Sequence, residues 1–186
     1  MAPAPSPVLV VIGPSGSGKS SVVRLLARRG VLRIHPTWTT RPRRDDERCG
    51  SPEHRFVSDT AFDGLEAAGA FLDTVTMFGL PYRYGLPPVE RSTDGAIDTV
   101  LLRAALVPRF AAVVPDLFVV QIEAGPDRLR GRLEARGGGP TDLAARLRHD
   151  ATELAAGRDL ADRVLVNDGS VEDLAAGVAG SLPVAA

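Results

Sequence analysis

The feature that most constrains this chain is the stretch Val8–Leu26, VLVVIGPSGSGKSSVVRLL. Val8–Ile12 is short, wholly apolar and rich in β-branched residues, the pattern of a parallel strand buried on both faces. The run breaks at Gly13-Pro14-Ser15-Gly16-Ser17-Gly18, and apolar residues return after Lys19-Ser20 at helical spacing: Val22, Val23, Leu25 and Leu26. Strand, glycine-rich turn and helix, with G-x-x-x-x-G-K-S at the junction, is the context of a phosphate-binding P-loop. Glycines let backbone N–H groups curl around phosphate oxygens, and the helix N-terminus adds positive potential. Gly13, Ser15, Gly16, Ser17, Gly18, Lys19, Ser20 and Ser21 are therefore the candidate nucleotide ligands. In this motif the lysine, here Lys19, reaches the β- and γ-phosphates and the hydroxyl of Ser20 supplies a ligand to Mg²⁺. Lys19 is the single lysine among 22 Lys and Arg residues. An arginine-biased sequence thus has a lysine at the one position where a compact, mobile ammonium matters.

The other bounds are mild. A chain of 186 residues is long enough for one domain with a substantial core. A formal net charge of −1 advertises neither nucleic acid nor membrane as a partner. The one cysteine, Cys49, cannot form an internal disulfide and suits a reducing compartment. No apolar run is long enough to span a bilayer. The tail Met1–Pro7 lacks the charge and apolar stretch of a signal peptide and reads as disordered. These readings together place the protein in the cytoplasm.

Further along, Val31–Ile34 reads as a strand, and Thr37–Glu47 as a polar stretch of mixed charge. By composition that stretch is either a solvated, self-neutralising loop or a ligand loop. As a nucleic-acid patch it is poor, because acids follow the arginines and only Trp38 offers a stacking platform. Arg55–Ser58 reads as a short strand entering a helix capped by Ser58 or Asp59 and ended by Gly69. Phe71–Phe78 reads as a strand and Gly79–Pro88 as a turn-rich segment. Ile97–Leu102 and Leu117–Ile122 suit buried parallel strands, and Ala104–Val114 a helix interrupted or kinked by Pro108. Pro126–Arg136 is an arginine-rich helix, a further helix runs from Thr141 or Asp142 to about Leu154, Val164–Val166 is a last strand, and Ser170 starts a C-terminal helix. The alternation implies an α/β, three-layer P-loop fold: a parallel sheet, helices on both faces, and ligand at the carboxyl ends of the strands.

With these residues in hand, the sequence resembles the guanylate kinase family of P-loop nucleoside monophosphate kinases from about Val8 to Asp168. The specific matches are Gly13–Ser20 and Thr39-Thr40-Arg41-Pro42-x-Arg44-x-x-Glu47; weaker ones are Phe56-Val57-Ser58, Phe71-Leu72-Asp73, Tyr84-Gly85, Arg136-Gly137 and Val166-Asn167-Asp168. The resemblance implies a single kinase domain with an acceptor-binding region at about 35–92 and a lid at about 132–150, using ATP and Mg²⁺. It implies that Arg41, Arg44 and Tyr84 hold the acceptor phosphate, and that Arg136 and Arg146 close over the ATP phosphates, with Arg132 and Arg148 as rivals. Paired guanidiniums suit that work because each presents a fixed fork of donors. Lys19, Arg44, Arg136 and Arg146 form the implied catalytic set.

The departures concern acceptor recognition. His54 stands where the family has a tyrosine, Asp73 where it has the glutamate that reads guanine, Thr37 where it has a serine, and Leu86 where it has Ser or Thr. The acidic Asp-x-Asp that follows the Val100-Leu101-Leu102 strand in the family is here Arg103-Ala104-Ala105, which removes carboxylates expected near Mg²⁺ and acceptor. The resemblance favours phosphoryl transfer from ATP to GMP. Two alternatives are a sugar-phosphate kinase similar to the ribose 1,5-bisphosphate phosphokinases and a non-catalytic module of the scaffold type. The retained Lys19 argues against the last.

Overall fold

The apolar runs assemble side by side. The computed structural model describes residues 6–43, 47, 50–76, 81–135 and 151–183. Strands β1 (Val8–Ile12), β2 (Leu32–Ile34), β7 (Ile97–Leu101), β8 (Leu117–Glu123) and β9 (Arg163–Val166) form a parallel sheet in the order β2-β7-β1-β8-β9. The central strand β1 has no solvent-exposed residue, and its side chains alternate between two cores. Leu9 and Val11 meet Val22, Val23 and Leu26 of α1 (Lys19–Arg28) and Leu174, Ala175 and Val178 of α6 (Val171–Ser181). Val8, Val10 and Ile12 face a second core that holds Ala104, Leu106, Val107 and Phe110. Burial on both faces explains why β1 reads as a continuous apolar run rather than an alternating one.

Local signals set the helix ends. Ser58 caps α2 (Asp59–Ala67), accepting from the Ala61 N–H at 3.2 Å, and Ser170 forms a capping box with Asp173 at the start of α6. The helix expected over Ala104–Val114 is interrupted near Pro108 rather than kinked at it. A 3₁₀ turn (Ala104–Leu106) precedes α3 (Val107–Ala111), and Pro108 falls in the first turn of α3, where a missing N–H breaks no intrahelical bond. Helix α4 (Pro126–Ala135) follows β8, and α5 (151–160) precedes β9.

A second sheet lies between β2 and β7 in sequence. It comprises β3 (Thr37–Thr39), β4 (His54–Phe56), β5 (Asp73–Thr76) and β6 (Arg83–Leu86), in the order β4-β3-β6-β5. Only the β3–β4 pair is parallel. Two of these strands differ from the sequence reading: β3 opens the polar stretch, and β6 runs through the segment read as turn-rich. Both are held by ladder bonds to strands distant in sequence, which local patterning does not register. Phe71 accounts for Gly85 in β6. A Cβ there would sit 2.7 Å from the Phe71 ring, which also stacks against Phe62 of α2 at 4.9 Å between centroids. Val75, Tyr84 and Leu86 pack onto the core below β1, so the second sheet is seated beside the carboxyl ends of the first. Among the described residues no helix is long and apolar enough to cross a membrane.

Candidate active site

The loop between β1 and α1 is held by both conformation and space. Gly13 and Gly18 have φ of +133° and +106°, a region that disfavours side chains. A Cβ on Gly13 would lie 2.1 Å from the Ile122 carbonyl oxygen, and one on Gly18 2.4 Å from Asn167 Nδ2. Asn167 Nδ2 donates to the Ser17 carbonyl at 2.7 Å, and Arg132 Nη1 donates to the Gly16 carbonyl at 2.7 Å. Two side chains from later elements therefore brace the loop. Lys19 Nζ donates to the carbonyls of Gly13 and Pro14 at 2.6 and 2.8 Å.

The facing wall comes from the second sheet. Arg41 follows β3, where its N–H donates to Thr39 Oγ1 at 3.1 Å. Its guanidinium donates to Glu47 Oε1 at 2.8 Å and to the Pro42 carbonyl at 2.9 Å, and lies 5.2 Å above the Phe56 ring centre. Burial works against the Arg41 charge, but the Glu47 carboxylate and then Tyr84 outweigh it and hold its pKa above the usual value. Thr37 is buried, its Oγ1 2.8 Å from His54 Nδ1 and within 3.3 Å of the Glu53 carbonyl that it can donate to. Asp73, the first residue of β5, is paired through Oδ1 with Arg109 of α3, while its Oδ2 is buried with no hydrogen-bond partner. Glu53 ties the walls together: Arg24 of α1 grips it through two bonds, Nε at 2.7 Å and Nη2 at 2.8 Å.

Between the walls lies one continuous cleft. The loop residues Gly13, Ser15, Gly16, Gly18, Lys19, Ser20 and Ser21 line one side, Thr37, Arg41, His54, Asp73 and Tyr84 the other, and Leu101, Leu102, Arg103 and Leu106 lie between. A second depression is lined by Gly16, Gly18, Ser21, Arg132, Asn167, Gly169 and Val171.

This arrangement has relatives. No family model matches the chain. It is 34% identical over 170 residues to a ribose 1,5-bisphosphate phosphokinase from Rhizobium etli, covering 89% of this chain and 84% of that protein. It is 38% identical over 168 residues to a guanylate kinase from Nocardia farcinica, covering 87% and 86% of the two. The chain belongs to the guanylate kinase family. A crystal structure of guanylate kinase from Anaplasma phagocytophilum shares the fold, with a TM-score of 0.73 at 20% identity over 97% of this chain and 86% of that one.

The protein is thus a phosphotransferase of this family, with likeness to the ribose 1,5-bisphosphate phosphokinases. Of the candidate nucleotide and acceptor ligands named from the sequence, twelve border this cleft: seven on the loop side and five opposite. Ser17 does not. It is fully buried, its N–H donating to the Pro14 carbonyl at 3.2 Å, and its Oγ has no partner. Arg44, Arg136, Arg146, Arg148 and Cys49 lie outside the described residues, as does residue range 136–150 of the expected lid. Arg132, named as a rival for the lid role, donates to the Gly16 carbonyl of the P-loop. Sequence reasoning missed Arg109, Glu53 and Glu153 as parts of the site; nothing local marks them, because each matters through a partner far along the chain. Arg103 carried a signal, the charge reversal after the β7 run.

Proposed function

We propose that the kinase transfers the γ-phosphoryl group of ATP to the phosphate of a small acceptor, with GMP the favoured acceptor. The observation that carries this reading is the single cleft that puts Lys19, Ser15 and Ser20 on one wall and Arg41, Tyr84 and Asp73 on the other. Two phosphorylated ligands entering from opposite ends would meet phosphate to phosphate, the geometry that in-line transfer requires. Lys19 would exchange its two loop carbonyls for β- and γ-phosphate oxygens, and Arg41, held above its usual pKa by Glu47, would present a fixed fork to the acceptor phosphate. The depression beside Arg132 and Asn167 suits the nucleoside of ATP.

Among the described residues no group of three or more His, Cys, Asp or Glu side chains could hold a metal. The donor set fits Mg²⁺ that arrives with ATP: Ser20 would hold it, and nucleotide phosphates and water would complete its shell. When bound, the ion neutralises charge on the phosphates. Guanine offers two adjacent donors, N1–H and the 2-amino group, and Asp73, which lines the cleft, has one carboxylate oxygen, Oδ2, that is buried without a hydrogen-bond partner. A cytoplasmic setting, with ATP at hand, completes the reading.

A sugar bisphosphate is the second reading. Arg109 already engages one Asp73 oxygen, and Arg103 adds a cation to a cleft that holds Lys19 and Arg41. Both features suit a more anionic acceptor with fewer base-like donors. A coupled ADP-release assay over GMP, AMP, IMP and ribose 1,5-bisphosphate tests both. Turnover of GMP above the rest supports the first reading, turnover of the sugar alone replaces it with the second, and ATP binding with no acceptor used refutes both.

A further inference from the structure

Strand β7 delivers Leu101, Leu102 and Arg103 into the cleft between the P-loop and the acceptor wall. Arg103 stands where the family resemblance calls for acid. Its Nη2 reaches Ser15 Oγ of the P-loop at 3.5 Å, the outer limit of a hydrogen bond. Its Nη1 is paired with Glu153 of α5, and the other Glu153 oxygen accepts the Ala104 N–H at 3.1 Å. The Glu153 side chain is only 3% exposed. One buried carboxylate therefore grips both the guanidinium and the backbone that carries it. An ordinary surface arginine has no such seat, and this one is aimed at a phosphate-binding loop.

We infer that Arg103 is a catalytic residue that contacts the phosphoryl group in flight, with Glu153 as its positioning residue. The inference rests on the reading of the cleft as a phosphoryl-transfer site. In the reaction an oxygen of the acceptor phosphate bonds to the γ-phosphorus while the bond from that phosphorus to the β–γ bridging oxygen breaks. The electron pair of the broken bond leaves on the β-phosphate of ADP, and any proton on the attacking oxygen passes to water. Charge spreads over the three equatorial oxygens of the moving group, midway between the P-loop and the acceptor wall. Arg103 lines that same cleft, its Nη2 3.5 Å from Ser15 Oγ of the P-loop. Its long contact with Ser15 is weak enough to be exchanged for an equatorial oxygen, and its hold on Glu153 keeps it in place before substrates arrive. Donors fixed in advance are the ones that stabilise a transition state most. The charge reversal thus has a chemical use: where the family has carboxylates, this kinase has its own cation for the transferring group.

The test compares wild type with Arg103→Ala, Arg103→Lys and Glu153→Gln, using the acceptor that the assay above identifies. Arg103→Ala should lower kcat by about a hundredfold or more, with KM for ATP and acceptor changed by less than about threefold. Arg103→Lys should recover part of the loss, and Glu153→Gln should fall between. A fluorescent ADP analogue supplies a readout free of turnover. Aluminium fluoride, a mimic of the transferring group, should tighten binding of the magnesium–ADP analogue to wild type and not to Arg103→Ala, while affinity without fluoride stays the same. An acceptor KM raised about tenfold at constant kcat would make Arg103 an acceptor ligand and overturn the inference. So would unchanged kcat, or loss of analogue binding and melting temperature shared equally by the Ala and Lys variants, which would make it a structural tie. If wild type uses no acceptor, the functional reading fails; the fluoride comparison still reads on Arg103, and absence of any tightening in wild type overturns both.

Discussion

Asp73 offers the sharpest test of acceptor choice. Its Oδ1 is committed to Arg109, and its Oδ2 is buried with no partner. Leaving a buried acceptor unsatisfied costs about 1–3 kcal/mol, and that cost is relieved when a donor arrives. If guanine N1–H or its 2-amino group is that donor, the contact to the carboxylate is charge-assisted and contributes roughly 1.5–3 kcal/mol. Asp73→Asn keeps the size of the side chain but replaces one acceptor oxygen by an NH₂ that can only donate. At 1.36 kcal/mol per tenfold, kcat/KM for GMP should fall by about 10- to 150-fold. AMP, which lacks the adjacent donor pair, should change by only a few-fold, so the GMP preference collapses. Steady-state ADP release with both acceptors at pH 7 measures it, with thermal melting as a check that loss of the Arg109 partner has not unfolded β5. Equal losses for GMP and AMP would refute the argument. So would an unchanged GMP rate, because Asp73 would then not touch the base.

Three further outcomes follow from the same geometry. Lys19→Met should lower kcat by about a hundredfold or more while melting like wild type, since Lys19 lines a cleft rather than a core; activity within a few-fold of wild type would remove the P-loop from the chemistry. Arg41→Ala should raise KM for the acceptor by about tenfold or more and leave KM for ATP nearly unchanged, through loss of one charge-assisted contact; a rise confined to ATP would place Arg41 on the wrong ligand. Glu123 is held below the ordinary carboxylate value of 4.5, chiefly by hydrogen bonds from Arg158, against the opposing effect of burial. A depressed folded pKa means stability that is present above the unfolded value and lost as pH falls through the folded one. The urea-midpoint gap between wild type and Arg158→Ala should therefore be widest near neutrality and narrow as pH falls through the carboxylate range; a gap that does not narrow in acid would refute the linkage.

The P-loop and its flanking elements were legible in the sequence because each signal there is local. The apolar run of β1, the glycines at positive φ and the spacing of Val22, Val23 and Leu26 all act within about twenty residues. The same holds for the Ser58 and Ser170 caps, whose partners lie three residues away. The wall facing the P-loop was legible only in part. Arg41, Tyr84 and Asp73 were picked out by resemblance, but nothing near Asp73 announces Arg109, 36 residues on, which takes half of its carboxylate. Strand β6 was hidden in a segment of Gly, Pro and Tyr because its ladder partners, β3 and β5, supply what local propensity lacks. Glu53 and Glu153 look like ordinary surface acids in the sequence; only the fold buries them and turns each towards an arginine 29 or 50 residues away. The sequence alone determined that a glycine-rich loop with one lysine would follow β1, because backbone conformation and local spacing suffice for that. Which side chains face the loop across the cleft depends on β5, α3, α5 and the segment after β7, and only tertiary packing brings them together.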